Sequence, residues 1–267
     1  MALLHVTYFS QALAGQSEFY LALPNDVPPF MAAENPRYQR DMKTLVLLHG
    51  YSGGAADWVT GSSVQNLALQ YNLALIMPNG RNSFYLNREA TGEQYATFVG
   101  EELPDYVRKT FGLSARREDT FIGGYSMGGF GALHTGLAYS HNYSKIAALS
   151  SALIIHQLKE LSPEAAAPMA NYAYYAQTFG DLKTAEEREC NPEVLIRGKL
   201  ERGEPLPGIF LACGTEDMLV ETNRAFRDFL RENGVSAEYH ESAGMHDWKF
   251  WNQYLEPAIR WMLGEDA

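Results

Sequence analysis

Five short apolar runs, at residues 44–48, 73–77, 120–124, 146–150 and 207–213, constrain the fold of this chain more than any other feature. None alternates apolar with polar as a half-exposed strand does, so each predicts a strand buried on both faces, as in a parallel sheet. Residues 237–241 predict one more strand. Between the runs lie stretches with helical spacing: 92–110 through Tyr95, Phe98, Val99, Leu103 and Val107, then 127–139, 220–233 closed by Gly234, and 246–263. Pro104 marks a kink or boundary in the first of them. Strands alternating with helices predict βαβ units, hence an α/β fold with a mostly parallel central sheet and helices on both faces. Residues 3–12 and 18–23 predict an antiparallel hairpin around Gly15, and residues 25–40, with three prolines, predict a surface loop. Residues 152–206 put some 55 residues between two strands, more than a crossover helix needs, which predicts a cap inserted into a single domain spanning 1–267.

Charge and cysteine content narrow the function classes. Thirty-two acidic against 21 basic side chains give a net charge of -11, which repels phosphate backbones and anionic lipid, so neither nucleic acid nor membrane is an expected partner. Cys190 and Cys213 stand in no CxxC and near no histidine pair at zinc spacing, which predicts free thiols in a reducing compartment and no metal. With no basic leader and no run of 18 apolar residues, a soluble cytoplasmic protein is expected. No cofactor is expected, and whether copies form a homo-oligomer is left open.

The chemistry is carried by Gly124-Tyr125-Ser126-Met127-Gly128, a G-x-S-x-G sequence between a predicted strand and a predicted helix. A nucleophile there projects above the sheet on a tight turn, and glycine on either side removes Cβ atoms that would clash. The bland alternative is a helix-capping serine in a glycine-rich turn. A serine hydroxyl needs a base to take its proton and an acid to hold that base. The acid is expected in the turn Gly214-Thr215-Glu216-Asp217; Asp217 stands directly before the apolar Met218-Leu219-Val220, with Glu216 as its rival. Among the histidines, His246 follows the last strand through a short loop, where the base belongs, whereas His240 sits inside the strand and His5, His134, His141 and His156 lie away from that strand's carboxyl end. Backbone amides for a developing oxyanion are expected at Met127 and, from the glycine-rich loop His49-Gly50-Tyr51-Ser52-Gly53-Gly54, at Tyr51. In the cap, Tyr172, Tyr174 and Tyr175 are candidates to line an acyl pocket or to pack the cap down. Trp248 beside the base is a further substrate-binding candidate that equally fits a packed helix face, and Met245 reads as a packing residue.

These segments, with Leu47-Leu48 before His49, Glu102-Leu103-Pro104, Gly129 after the serine motif and His246-Asp247-Trp248, resemble the tributyrin esterase branch of the esterase D family over nearly the whole chain. That family includes S-formylglutathione hydrolases, short-chain carboxylesterases, and acetyl and feruloyl esterases acting on decorated plant polysaccharides. The resemblance implies an α/β-hydrolase fold, a Ser126-His246-Asp217 triad, and oxyanion amides at Tyr51 and Met127. It implies hydrolysis of short-chain or aromatic acyl esters (acetyl, butyryl, feruloyl), with a small ester, carbohydrate or hydroxycinnamate, as substrate. Where S-formylglutathione hydrolases carry Ser-Gly-Leu-Thr-Cys, this chain has His49-Gly50-Tyr51-Ser52-Gly53. An acyltransferase or a thioester hydrolase would use the same residues; a non-catalytic binding module would be expected to lack one of them.

Overall fold

A computed structural model describes residues 1–164 and 169–265; residues 165–168, within the expected cap, and the last two residues lie outside the described residues. The hairpin is formed by β1 (Ala2–Ser10) and β2 (Gly15–Leu23), paired antiparallel. The apolar runs become β3 (Lys43–Leu48), β4 (Leu73–Pro78), β5 (Thr120–Tyr125), β6 (Lys145–Leu149) and β7 (Gly208–Gly214), and β8 (Glu238–Ser242) completes a sheet of order β1-β2-β4-β3-β5-β6-β7-β8. From β4 to β8 the pairing is parallel throughout.

Burial on both faces explains the unbroken apolar runs. In β3, Val46 and Leu48 face one core while Leu45 and Leu47 face another; in β7, Ile209 and Leu211 oppose Phe210 and Ala212 in the same way. Helices α1 (Pro29–Glu34), α2 (Asp57–Gly61), α3 (Val64–Tyr71), α4 (Tyr95–Thr97), α5 (Leu103–Phe111) and α6 (Met127–Ala138) precede β6. Between β6 and β7 come α7 (Ile155–Leu158), α8 (Tyr172–Phe179) and α9 (Pro192–Glu201); α10 (Val220–Glu232) and α11 (Trp248–Leu263) follow β7 and β8. Leu103 and Val107 of α5, Phe130 and Leu133 of α6, Ile196 of α9 and Phe226 of α10 fill one core, while Trp58, Val64, Tyr71, Phe250, Trp251 and Ile259 fill the other. The segment between β6 and β7 is thus not all laid over the sheet's edge: α9 packs on α6 in the helical layer.

Three sequence expectations shift. Residues 25–40 hold α1 and a 3-10 turn, Pro36–Gln39, because Pro29 and Pro36 sit at first-turn positions where their missing N–H is no loss. The helix expected over 92–110 begins at Tyr95 and passes through a π-helical turn, Phe98–Glu102, into α5. Pro104 cannot donate to the Gly100 carbonyl, which instead accepts from Asn142 Nδ2 at 2.8 Å, and Tyr143 Oη donates to the neighbouring Val99 carbonyl at 2.6 Å. The last helix begins at Trp248, where the Asp247 carboxylate caps it by accepting the Phe250 amide at 3.0 Å. Among the described residues no helix is long and apolar enough to cross a membrane, and both cysteines are free thiols.

Candidate active site

The carboxyl ends of β3, β5, β7 and β8 converge at Ser126. The chain leaves β5 through Gly124 and turns at Ser126 with φ 55° and ψ −121°, a conformation costing about 1–3 kcal/mol for a residue with a Cβ. Its amide donates to the Leu149 carbonyl of β6 and its own carbonyl accepts from Phe130 and Ala152, which hold the turn against relaxation. The flanking glycines are required by contact. A Cβ on Gly124 would enter the Gly128 carbonyl, and one on Gly128 would enter the carbonyl oxygens of Leu48 and His49. The G-x-S-x-G pattern therefore records how closely the end of β3 lies against the start of α6.

Ser126, His246 and Asp217 meet. Ser126 Oγ lies 2.9 Å from His246 Nε2, and His246 Nδ1 lies 2.8 Å from Asp217 Oδ2. A carboxylate only accepts, so Nδ1 carries the ring hydrogen and Nε2 is left to accept the serine proton. Asp217 is 3% exposed and its other oxygen accepts the Leu219 amide at 2.9 Å. Burial works to raise its pKa, but the hydrogen bonds from His246 and Leu219 outweigh burial and hold it below the usual carboxylate value. The rival Glu216 is turned away: its Oε2 accepts the Gly244 amide at 2.6 Å and its own amide donates to the Gly244 carbonyl, so it ties down the loop that carries His246. The His246 ring stands edge-on to Trp251, centroids 5.2 Å apart.

The loop after β3 turns tightly, with Gly53 N–H donating to the Gly50 carbonyl and Ser52 at φ 64°. A Cβ on Gly50 would stand 3.3 Å from that of Ser126, so the turn lies directly beside the serine. Among the described residues, neither the Tyr51 nor the Met127 amide has a hydrogen-bond acceptor in the protein, while Met127's side chain is fully buried. His49, in the same loop, is a strut: Nδ1 donates to the Gly50 carbonyl and Nε2 accepts the Gly80 amide, both at 2.8 Å, and burial lowers its pKa.

Of the aromatic candidates, Tyr175 is buried against Tyr174 and Phe179, and Tyr172 is partly buried against the main core. Trp248 packs on Trp58, Tyr125 and Trp251, its indole over Gly61. Tyr174, in α8, reaches the Tyr51 ring, edge-on at 5.5 Å. Its hydroxyl donates to the Asn82 carbonyl at 2.9 Å, and the Asn82 side chain accepts the Ser52 amide at 2.7 Å, so Asn82 links α8 to the Tyr51 turn. Asn82 bears no local motif, and sequence reading misses it. Met245 is not a packing residue: it is 61% exposed, and Met218, beside Asp217, is 75% exposed. A cavity of about 980 Å³ borders His134, Tyr139 and Phe179 rather than Ser126.

Sheet order, strained serine turn and converging strand ends define an α/β-hydrolase fold. The chain belongs to the esterase family whose sequence model, described as "Putative esterase", matches residues 10–262. It is 40% identical over 269 residues to an acetyl esterase of Caldicellulosiruptor saccharolyticus, covering 98% of both chains. Among solved structures it is similar to a substrate-bound fluorophosphonate-binding serine hydrolase of Staphylococcus aureus (27% identity, TM-score 0.83, 98% of both chains). It is also similar to an S-formylglutathione hydrolase of the same organism (28% identity, TM-score 0.82, 98% of both chains). The chain is a carboxylic ester hydrolase.

Proposed function

We propose that the chain hydrolyses short-chain acyl esters, acetyl foremost, through an acyl-enzyme on Ser126. The observation that carries this reading is the unbroken line of hydrogen bonds from Ser126 Oγ through His246 to the buried Asp217. Ser126 Oγ attacks the acyl carbonyl carbon while His246 Nε2 takes its proton. In this reading the oxyanion so formed accepts from the Tyr51 and Met127 amides, which have no acceptor among the described residues. As the C–O bond to the alcohol breaks, His246 returns the proton to the leaving oxygen. Water then attacks the acyl carbon, again losing its proton to His246, and collapse releases the acid and restores the Ser126 hydroxyl. Asp217 keeps the ring in the required tautomer and stabilises the transient imidazolium. Side chains and backbone amides supply every step, so the reading needs no cofactor.

Preference for acetyl is supported by the relative named acetyl esterase, and Tyr174, edge-on to the Tyr51 ring, is the candidate to limit the acyl group. In this reading residues 1–267 act as one domain, with 152–206 as the cap. The similarity to an S-formylglutathione hydrolase favours a second reading, thioester hydrolysis by the same three residues. The test is initial rates on acetyl, butyryl and feruloyl esters beside S-formylglutathione, for wild type and Ser126→Ala. Loss of about 10³-fold or more in kcat on alanine substitution, with a serine-directed phosphonate labelling Ser126 alone in wild type, is the expected result. Full activity in Ser126→Ala would refute the reading, and S-formylglutathione as the best substrate would replace the ester by the thioester.

A further inference from the structure

The residue between Gly124 and the candidate nucleophile is joined to the opposite side of the site. Tyr125 is a buried residue whose hydroxyl donates to Asp57 Oδ2 at 2.7 Å, 68 residues away in the chain. Its ring lies on Gly50: a Cβ there would be 2.5 Å from Tyr125 Cε2. The Asp57 carboxylate in turn lies on the bare α-carbon of Gly53, where any side chain would enter Oδ2. Tyr125 and Asp57 thus bear on both ends of the four-residue turn that presents the Tyr51 amide. The next residue, Trp58, donates its indole N–H to the Leu48 carbonyl at 3.1 Å, at the point where that turn leaves β3. Tyr125 is itself fixed by stacking on Trp251 at 4.1 Å, the tryptophan that carries the His246 ring on its edge.

The geometry points to the Tyr125–Asp57 hydrogen bond as the positioning device that holds the Tyr51 amide at the oxyanion site. The inference rests on the acyl-enzyme reading above. Burial and the Asp57 carboxylate raise the Tyr125 pKa far above that of a free phenol, so the hydroxyl keeps its proton and remains the donor. Neither residue touches the reacting atoms. Their effect passes through the turn, and it appears only when the carbonyl oxygen becomes charged.

The experiment uses Tyr125→Phe, Asp57→Ala, which removes the acceptor outright, and the double variant, with active sites counted by phosphonate titration. Each single change is expected to lower kcat per titrated site about tenfold, to leave KM for an acetyl ester within about twofold, and to slow phosphonate labelling in parallel. Because both residues act through one bond, the double variant should match the worse single variant within about threefold. A purely structural role would instead lower Tm and the titrated fraction while leaving kcat per site unchanged, and that result overturns the inference. So does a double variant whose losses multiply. Should Tyr125→Phe fail to fold, Asp57→Ala alone gives the same kcat-against-KM readout. Labelling of Ser126 separates the two levels: wild type labelled at Ser126 with kcat intact in the variants refutes only the positioning role, whereas absence of labelling refutes the acyl-enzyme reading and this inference with it.

Discussion

Replacing Asp217 by Asn changes one atom in a site where both carboxylate oxygens are committed. Oδ2 accepts from His246 Nδ1 and Oδ1 from the Leu219 amide, with the group 3% exposed. An amide must face one of these donors with its NH₂. If it faces His246, the ring is driven to the tautomer with hydrogen on Nε2, which cannot take the Ser126 proton. If it faces Leu219, two donors oppose each other without water. Losing a charge-assisted hydrogen bond costs about 1.5–3 kcal/mol and a buried unmatched donor about 1–3 kcal/mol. At 1.36 kcal/mol per factor of ten, kcat should fall by about 10²- to 10⁴-fold. Glu216→Gln is the control. It is an exposed residue whose amide oxygen still accepts from Gly244, so kcat should stay within about threefold. The assay is kcat for an acetyl ester per phosphonate-titrated site. A fall of less than tenfold in Asp217→Asn, or a larger loss in Glu216→Gln, would show that the acid had been assigned to the wrong residue.

Those two neighbours also mark where the sequence stops being readable. The strands were legible because burial on both faces writes consecutive apolar residues, as in Leu45 to Leu48, whose side chains go alternately to two cores. Ser126 and His246 were legible because each follows a strand by a short turn. Glu216 and Asp217 look alike locally. What separates them is burial and the partner across the β7–β8 gap, the Gly244 amide for the exposed Glu216 and the imidazole for the buried Asp217. Residues joined only by long-range contacts left no local trace: Asp57, in a five-residue helix too short to show a period, and Asn82, in an irregular loop after β4. The tyrosine cluster was visible, but which ring reaches Tyr51 depends on how α8 lies, and that is decided by the Tyr174 bond to Asn82. Likewise Pro104 announced a break but not its remedy, since Asn142 and Tyr143 reach the freed carbonyls from beyond α6.

Two further outcomes are expected. Tyr174→Ala removes the ring that leans on Tyr51 and should raise the butyryl-to-acetyl ratio of kcat/KM by about tenfold, the range a resized acyl pocket supplies; a ratio within threefold of wild type would remove Tyr174 from the acyl site. The other concerns His134, buried in α6 with Nδ1 lacking any hydrogen-bond partner among the described residues, its pKa pushed down by burial to about 4. The unfolded chain takes up this proton near pH 6.5, so between about pH 6.5 and 4 the unfolded state binds more protons than the folded one. Stability is therefore complete above that window and is lost as pH falls through it, by about 3 kcal/mol from this group alone. Urea midpoints measured at intervals from pH 7.5 to 4.5 should decline for wild type and decline less steeply for His134→Leu, which has nothing to protonate. Parallel slopes in the two proteins would mean that the folded state takes up the proton as readily as the unfolded chain.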